Sequence, residues 1–259
     1  MKNALTIAAR ELRSYFVSPI AYVVLTGFLL LGGWFFYNLL ARFSYLIQMY
    51  SSMQGAQAVE RMNLNDFVIS PLLHNLSIVL VILVPVITMR TFAEEKRAGT
   101  FELLFTSPLR VGEIVAGKFL GAFVFLLLMI GLTAIYPAIL IAYGNPGPEV
   151  KVMLAGYLGL MLLGTSFLTI GLLTSSVTEN QIISAVSCLV ALLLLYVIGW
   201  PAETASPAIG AVLRHLSIVE HFGELVKGVI DTKDLLYFAS VMIVALFLTH
   251  RSIESLRWR

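Results

Sequence analysis

The stretch SPLLHNLSIVLVILVPVITMR, residues 70–90, carries no Asp, Glu, Lys or Arg before its last position. An apolar run of about 20 residues has the length that crosses the hydrocarbon core of a bilayer as one helix. Ser70-Pro71 opens it as a cap and first turn, and Pro85 inside it is expected to kink it. Directly after it comes TFAEEKRAGTFELLFTSPLR, residues 91–110, which belongs to the most charged segment of the chain. A span that empties into a compact charged hairpin sets the fold, and the remaining sequence repeats the span pattern.

The whole chain is 59% hydrophobic and only 12% charged over its 259 residues. Soluble domains carry about 45–50% apolar and about 25% charged residues, so charge here is too sparse to coat a soluble core. Hydrophobic runs give six spans, at residues 20–40, 72–90, 114–142, 152–173, 182–200 and 235–250. Residues 1–16 place Leu5, Ala8, Leu12, Tyr15 and Phe16 against Lys2, Arg10 and Arg13, the spacing of an amphipathic helix lying in the membrane interface. Ser18-Pro19 repeats the start signal, and a polar stretch over 41–69 separates the first two spans. The expected fold is an all-α polytopic membrane protein, with residues 1–259 as one transmembrane domain.

Lys and Arg divide 11 to 6 between the two sides of these spans. Positive charge favours the cytoplasm, which puts both termini and the 89–110 hairpin inside. The net charge of +2 includes no basic stretch suited to nucleic acid. The lone Cys188 permits no intrachain disulfide. The first apolar run is too long for a cleavable signal peptide. No Asp or Glu falls at the centre of a span, where an ion-coupled carrier usually keeps one. Without an internal repeat, inverted-repeat transporters also lose weight.

One motif points toward nucleotide. GEIVAGK, residues 112–118, has the spacing G-x-x-x-x-G-K. A phosphate-cradling loop needs a strand before it, a helix after it, and a Ser or Thr after the lysine to hold magnesium. Here Phe119 follows Lys118, and a span follows directly. Gly117 and Gly121 instead read as a small-residue face for close helix packing, with Lys118 expected to snorkel to the cytoplasmic interface.

The hairpin itself reads as helix over 93–98, a break at Gly99-Thr100, and a second helical turn begun by Thr100 with Glu102 near its N-terminus. Leu103, Leu104 and Phe105 would then face cytoplasm, which calls for a partner or a lipid surface.

Arg90, the charges of residues 94–97, Gly99-Thr100, Glu102-Leu103-Leu104 and Ser107-Pro108 together resemble the signature between the second and third spans of ABC-2 type permeases, the membrane subunits of type V ABC exporters. ARELRSYFVSPIAYV (9–23) resembles that family's interfacial helix and the start of its first span. GLLTSSVTENQ (171–181) and LSIVEHFGELVKGVIDTKDLLYF (216–238) resemble its turn between the fourth and fifth spans and the approach to its last span. The subgroup it looks nearest to is that of the gliding-motility (Gld) and copper-maturation (Nos) permeases.

The resemblance implies short outer re-entrant helices before the last span, over 208–227. It implies a bacterial inner-membrane subunit with no catalytic, cofactor-binding or metal residues of its own. ATP and Mg would be bound by a separate ATPase subunit, and two permeases would pair as a homodimer or heterodimer in the lipid bilayer. A further extracytoplasmic or membrane partner is also compatible with it. Glu94, Glu95, Lys96, Arg97, Gly99, Thr100, Glu102 and Leu103 would form the coupling helix that contacts the ATPase. Glu179 and Asn180 would offer a second cytoplasmic contact, or simply a helix start capped by Thr178. Ser184, Ser187, Cys188 and Ala191 make a small-residue stripe for packing against the second permease. His215 and His221 read as polar positions on short outer helices, since their spacing shares no helix face. The competing reading is a mechanical or scaffolding subunit that moves no cargo, and a secondary transporter stands behind it.

Overall fold

The computed structural model describes residues 2–52, 62–100, 110–144 and 147–256. All regular structure among them is helical, with no strand. Helix α1 (Lys2–Val17) turns at Ser18 into α2 (Pro19–Ser52), and a π-helical turn, Asn65–Ile69, runs directly into α3 (Ser70–Thr88). The short α4 (Ala93–Arg97) is followed by α5 (Val111–Leu132), α6 (Ile135–Tyr143), α7 (Val150–Val177) and α8 (Gln181–Val197). A 3-10 turn, Trp200–Glu203, then leads to α9 (Pro207–Leu216), α10 (Ile218–Val226) and α11 (Thr232–Leu256). Six stretches are long and apolar enough to cross a membrane: Pro19–Ser51, Asn65–Arg97, Val111–Tyr143, Val150–Val177, Gln181–Glu203 and Thr232–Ser255.

Helix α7 is the centre of the bundle, with 72% of its apolar window buried against 17% for α8. It packs on α3, α5, α8, α10 and α11. Small residues explain its place. A Cβ on Gly156 would meet Leu73 Cδ1 at 2.5 Å, and one on Gly159 would meet Leu225 Cβ at 2.8 Å. Two neighbours therefore approach closer than side chains there would permit. Around this centre Leu72, Leu76 and Leu80 of α3, Phe125 and Met129 of α5, and Phe167 of α7 form a continuous buried core. The outward faces of α2, α8 and α11 stay apolar and exposed, at Trp34, Leu194 and Ile243 for example, and suit lipid or a second subunit.

Three elements depart from the sequence expectation. The first span does not stop near residue 40, because α2 runs on to Ser52. Its 34 residues reach about 51 Å at 1.5 Å per residue, well beyond the hydrocarbon core. Phe43 explains the extension: it packs against the core and its ring lies 6.1 Å from that of Phe67. The second span starts early, being already helical at Asn65.

The third span is two helices that meet at Thr133 and Ala134, where one continuous helix was expected. Pro137 has no N–H to give the Thr133 carbonyl four residues before it. That carbonyl instead accepts from Tyr136 N at 3.1 Å and from the Tyr157 hydroxyl of α7 at 3.0 Å. Thr133 Oγ1 turns back to donate to the Ile130 carbonyl at 2.6 Å.

Candidate functional site

The charged hairpin begins as an elbow held from three directions. Helix α4 is too short to be stable alone, and its first amides need acceptors. Ser175, near the end of α7, supplies one: its Oγ accepts from Phe92 N at 3.0 Å and Ala93 N at 3.1 Å. At the other end Gly99 takes φ +68°, a left-handed conformation suited to glycine. The Thr100 amide then folds back to the Glu95 carbonyl at 3.1 Å, closing the helix.

Side chains of α4 divide between inside and outside. Glu95 and Lys96 turn inward; Glu94, Arg97, Gly99 and Thr100 are exposed. Glu94 pairs with Arg90 Nε at 3.1 Å, and Arg90 donates on to Ser18 Oγ at 3.1 Å. Lys96 Nζ donates to the Ser176 carbonyl of α7, which also accepts from Ser252 of α11 at 3.0 Å. Glu102 and Leu103, with Leu104, Phe105, Ser107 and Pro108, lie outside the described residues.

The centre of the arrangement is a residue that sequence reasoning misplaced. Lys118 does not snorkel to the interface; its side chain is only 2% exposed. Its Nζ lies 2.8 Å from Glu11 Oε1 of α1, 3.0 Å from Glu95 Oε2 of α4 and 2.7 Å from the Thr91 carbonyl. The Phe92 ring sits 5.3 Å from the ammonium. Arg10 closes the group on its exposed side, 2.9 Å from Glu95 Oε1. Two cations and two carboxylates thus neutralise one another, the condition on which buried charges persist.

The reason Lys118 is drawn in lies one residue earlier. Gly117 and Gly121 do form a close-packing face, and its partner is α1 rather than another span. A Cβ on Gly117 would meet Ile7 Cβ at 2.6 Å, and one on Gly121 would meet Glu11 Cβ at 2.8 Å. With α1 this close, Lys118 reaches Glu11 instead of solvent. Asn3 adds a tie at the helix starts, donating to Glu113 at 3.3 Å. The G-x-x-x-x-G-K motif lies wholly within α5, and its lysine is committed to two carboxylates, so nothing there is shaped to cradle phosphate.

The second polar turn, between α7 and α8, comes to the same end of the bundle, where α8 packs on α4. Asn180, not Thr178, caps α8: its Oδ1 accepts from Ile182 N at 2.9 Å and Ile183 N at 3.4 Å. Thr178 holds the cap itself, its Oγ1 accepting from Asn180 N at 3.1 Å. Glu179 is exposed beside it. Along α8, Ser184 and Cys188 are wholly buried against the chain's own helices, Ala191 is partly buried and Ser187 is exposed.

At the opposite end of the bundle, His221 is not on the surface. It is buried, with Nδ1 2.6 Å from Asp234 Oδ1 and Nε2 3.1 Å from the His215 carbonyl. Its ring stacks on Tyr237 at 4.0 Å. The pair fastens α10 to the start of α11. Among the described residues no group of His, Cys, Asp and Glu is arranged to hold a metal ion.

A family profile, ABC-2 family transporter protein, matches residues 5–250. The chain belongs to the ABC-2 transporter family. The match takes in most of α1, the elbow, Lys118, the α7–α8 turn and most of α11. With six apolar spans, this ABC-2 protein is a multi-pass membrane subunit of an ABC transporter and not its ATPase. A search among curated proteins finds no match.

Lys118 was legible as a candidate by one signal in the sequence. A lysine inside an apolar span is costly there and marks a functional position by default. Ser175 and Ser176 carried no such signal, because their roles arise from the approach of α4.

Proposed function

We propose that this ABC-2 protein is the permease of an ATP-driven exporter, with ATP hydrolysed by a separate nucleotide-binding subunit docked at the elbow. The observation that carries this reading is the triple attachment of α4: to α1 and α5 through Glu95, and to α7 through Ser175 and Lys96. A displacement of the elbow is delivered to the interfacial helix, the third span and the central helix at once. The exposed Arg97, Gly99 and Thr100, with Glu102 and Leu103 beyond them, supply the surface the ATPase meets, and Glu179 and Asn180 border it. Glu95 and Lys96 act as links rather than contacts.

Two permeases pair through the exposed faces of α2 and α8, with Ser187 and Ala191 on the side available to a partner. The complex sits in a bacterial inner membrane with the elbow and both termini in the cytoplasm. Within the family we propose the gliding-motility and copper-maturation permeases as its subgroup, on the sequence resemblance alone.

Arg97→Glu tests the reading. It reverses an exposed charge at the docking surface without touching the Lys118 cluster. The variant permease inserts normally, while its copurification with the ATPase subunit and ATP-driven transport both fall. Wild-type assembly and transport in Arg97→Glu, with equal results for Thr100→Glu, contradict docking at the elbow.

A further inference from the structure

At the end of the bundle away from the elbow, a cavity of about 300 Å³ opens between the end of α8, the 3-10 turn and the α9–α10 junction. Its frame is fixed by close backbone approaches. A Cβ on Gly199 would meet Ser217 Oγ at 2.7 Å, and one on Gly210 would meet the Ala202 carbonyl at 2.6 Å. Into it come one guanidinium, Arg214, two carboxylates, Glu203 and Glu220, and the Tyr196 and Trp200 rings. None of these three charged side chains makes a hydrogen bond or ion pair within the described residues. Opposite charges share a cavity without neutralising each other.

The surroundings of the cavity are apolar. Trp200 is 72% exposed, and Ile209, Val212 and Leu216 on α9 are exposed beside it. An amphipathic helix with its apolar side uncovered, next to an exposed tryptophan, marks the membrane–water boundary. Below the cavity runs α8, the least buried of the six spans, with Leu193 and Leu194 exposed.

A ligand suited to this place carries both charges on a small head and an apolar tail. We propose that the cavity binds the headgroup of a zwitterionic phospholipid from the leaflet opposite the elbow. Arg214 takes the phosphate as a planar multi-donor group. Glu203 and Glu220 take the ammonium, assisted by the face of Trp200, and the acyl chains lie along α8. An anionic headgroup lacking the ammonium leaves both carboxylates unpaired beside its phosphate and is disfavoured. The inference stands apart from ATPase docking, since it rests on the other end of the molecule.

The test uses the full-length permease in its native complex, placed in nanodiscs of equal phosphatidylethanolamine and phosphatidylglycerol and then released for native mass spectrometry. The wild-type complex retains phosphatidylethanolamine in preference to phosphatidylglycerol. Arg214→Gln lowers that retention about fivefold, the effect of losing one exposed charged contact. The Glu203→Gln, Glu220→Gln double variant instead shifts the retained lipid toward phosphatidylglycerol. Arg214 and both glutamates are exposed, so thermal melting of the variants stays at the wild-type value. Millimolar glycerophosphoethanolamine leaves the retained lipid in place, because the tail contributes to binding. Retention in the bulk ratio, an unchanged Arg214→Gln, or full displacement by the soluble headgroup each overturns the proposal.

Discussion

Glu95 of the elbow and Lys118 of the third span are joined by a 3.0 Å ion pair at a point where the lysine has lost nearly all contact with solvent. The same ammonium holds Glu11 of α1 at 2.8 Å, so one buried cation unites three elements that are far apart in sequence. Removing one partner of a buried pair costs more than the pair contributes, because the remaining charge is stranded.

Lys118→Met therefore leaves Glu11 and Glu95 facing each other and lowers stability by about 3–5 kcal/mol. Adding Glu11→Gln and Glu95→Gln to Lys118→Met removes the stranded charges and recovers most of the loss. Thermal melting of the three purified forms, wild type included, in detergent checks both statements. Equal melting of Lys118→Met and wild type would show that the cluster is solvated.

His221 and Asp234 form the corresponding fastening at the other end. Asp234 is fully buried, so His221→Ala strands its carboxylate and costs about 3–5 kcal/mol. Asp234→Asn keeps an acceptor for the ring and costs about 1–2 kcal/mol. Proteolysis between α10 and α11 follows the same order, with His221→Ala cut fastest. If Asp234→Asn proves the more damaging of the two, the pair is not held together as described.

The 11-to-6 division of basic residues makes the orientation testable. In a Cys188→Ala background, Gln57→Cys reacts with a membrane-impermeant maleimide in cells whose outer barrier has been opened, and Ala98→Cys reacts only after lysis. The opposite pattern would turn the molecule over and remove the elbow from the reach of an ATPase.

How much of this was legible depended on whether a feature was local. Six spans, the Ser18-Pro19 start and the Gly99 stop follow from residues close in sequence, and sequence reading places them. Gly117 and Gly121 were readable as a packing face, but spacing alone could not say that α1 would fill it. Lys118 was misread for that reason: a lysine near a span end snorkels unless an acid is brought to it, and Glu11 lies 107 positions away. The break at Thr133 was foreshadowed by Pro137, yet a proline in a span can also kink without ending the helix. At the break that carbonyl is shared by the local Tyr136 N–H and by the Tyr157 hydroxyl of another helix, and the second partner is not visible in the local sequence. The burial of His221 likewise depends on Asp234, which no helical period connects to it.

The central claim is that the elbow is the place where a separate ATPase engages this permease. Site-directed cross-linking tests it most directly, in cells that assemble the native complex. In a Cys188→Ala background, Ala98→Cys is joined to a short thiol-to-amine cross-linker, and the adduct is identified by mass spectrometry. The structure leaves Ala98 exposed beside Gly99, and the account predicts an adduct with an ABC ATPase subunit there and none from Ala208→Cys, at the start of α9. An ATPase adduct at position 208, or none at position 98 in an assembled and active complex, would contradict it.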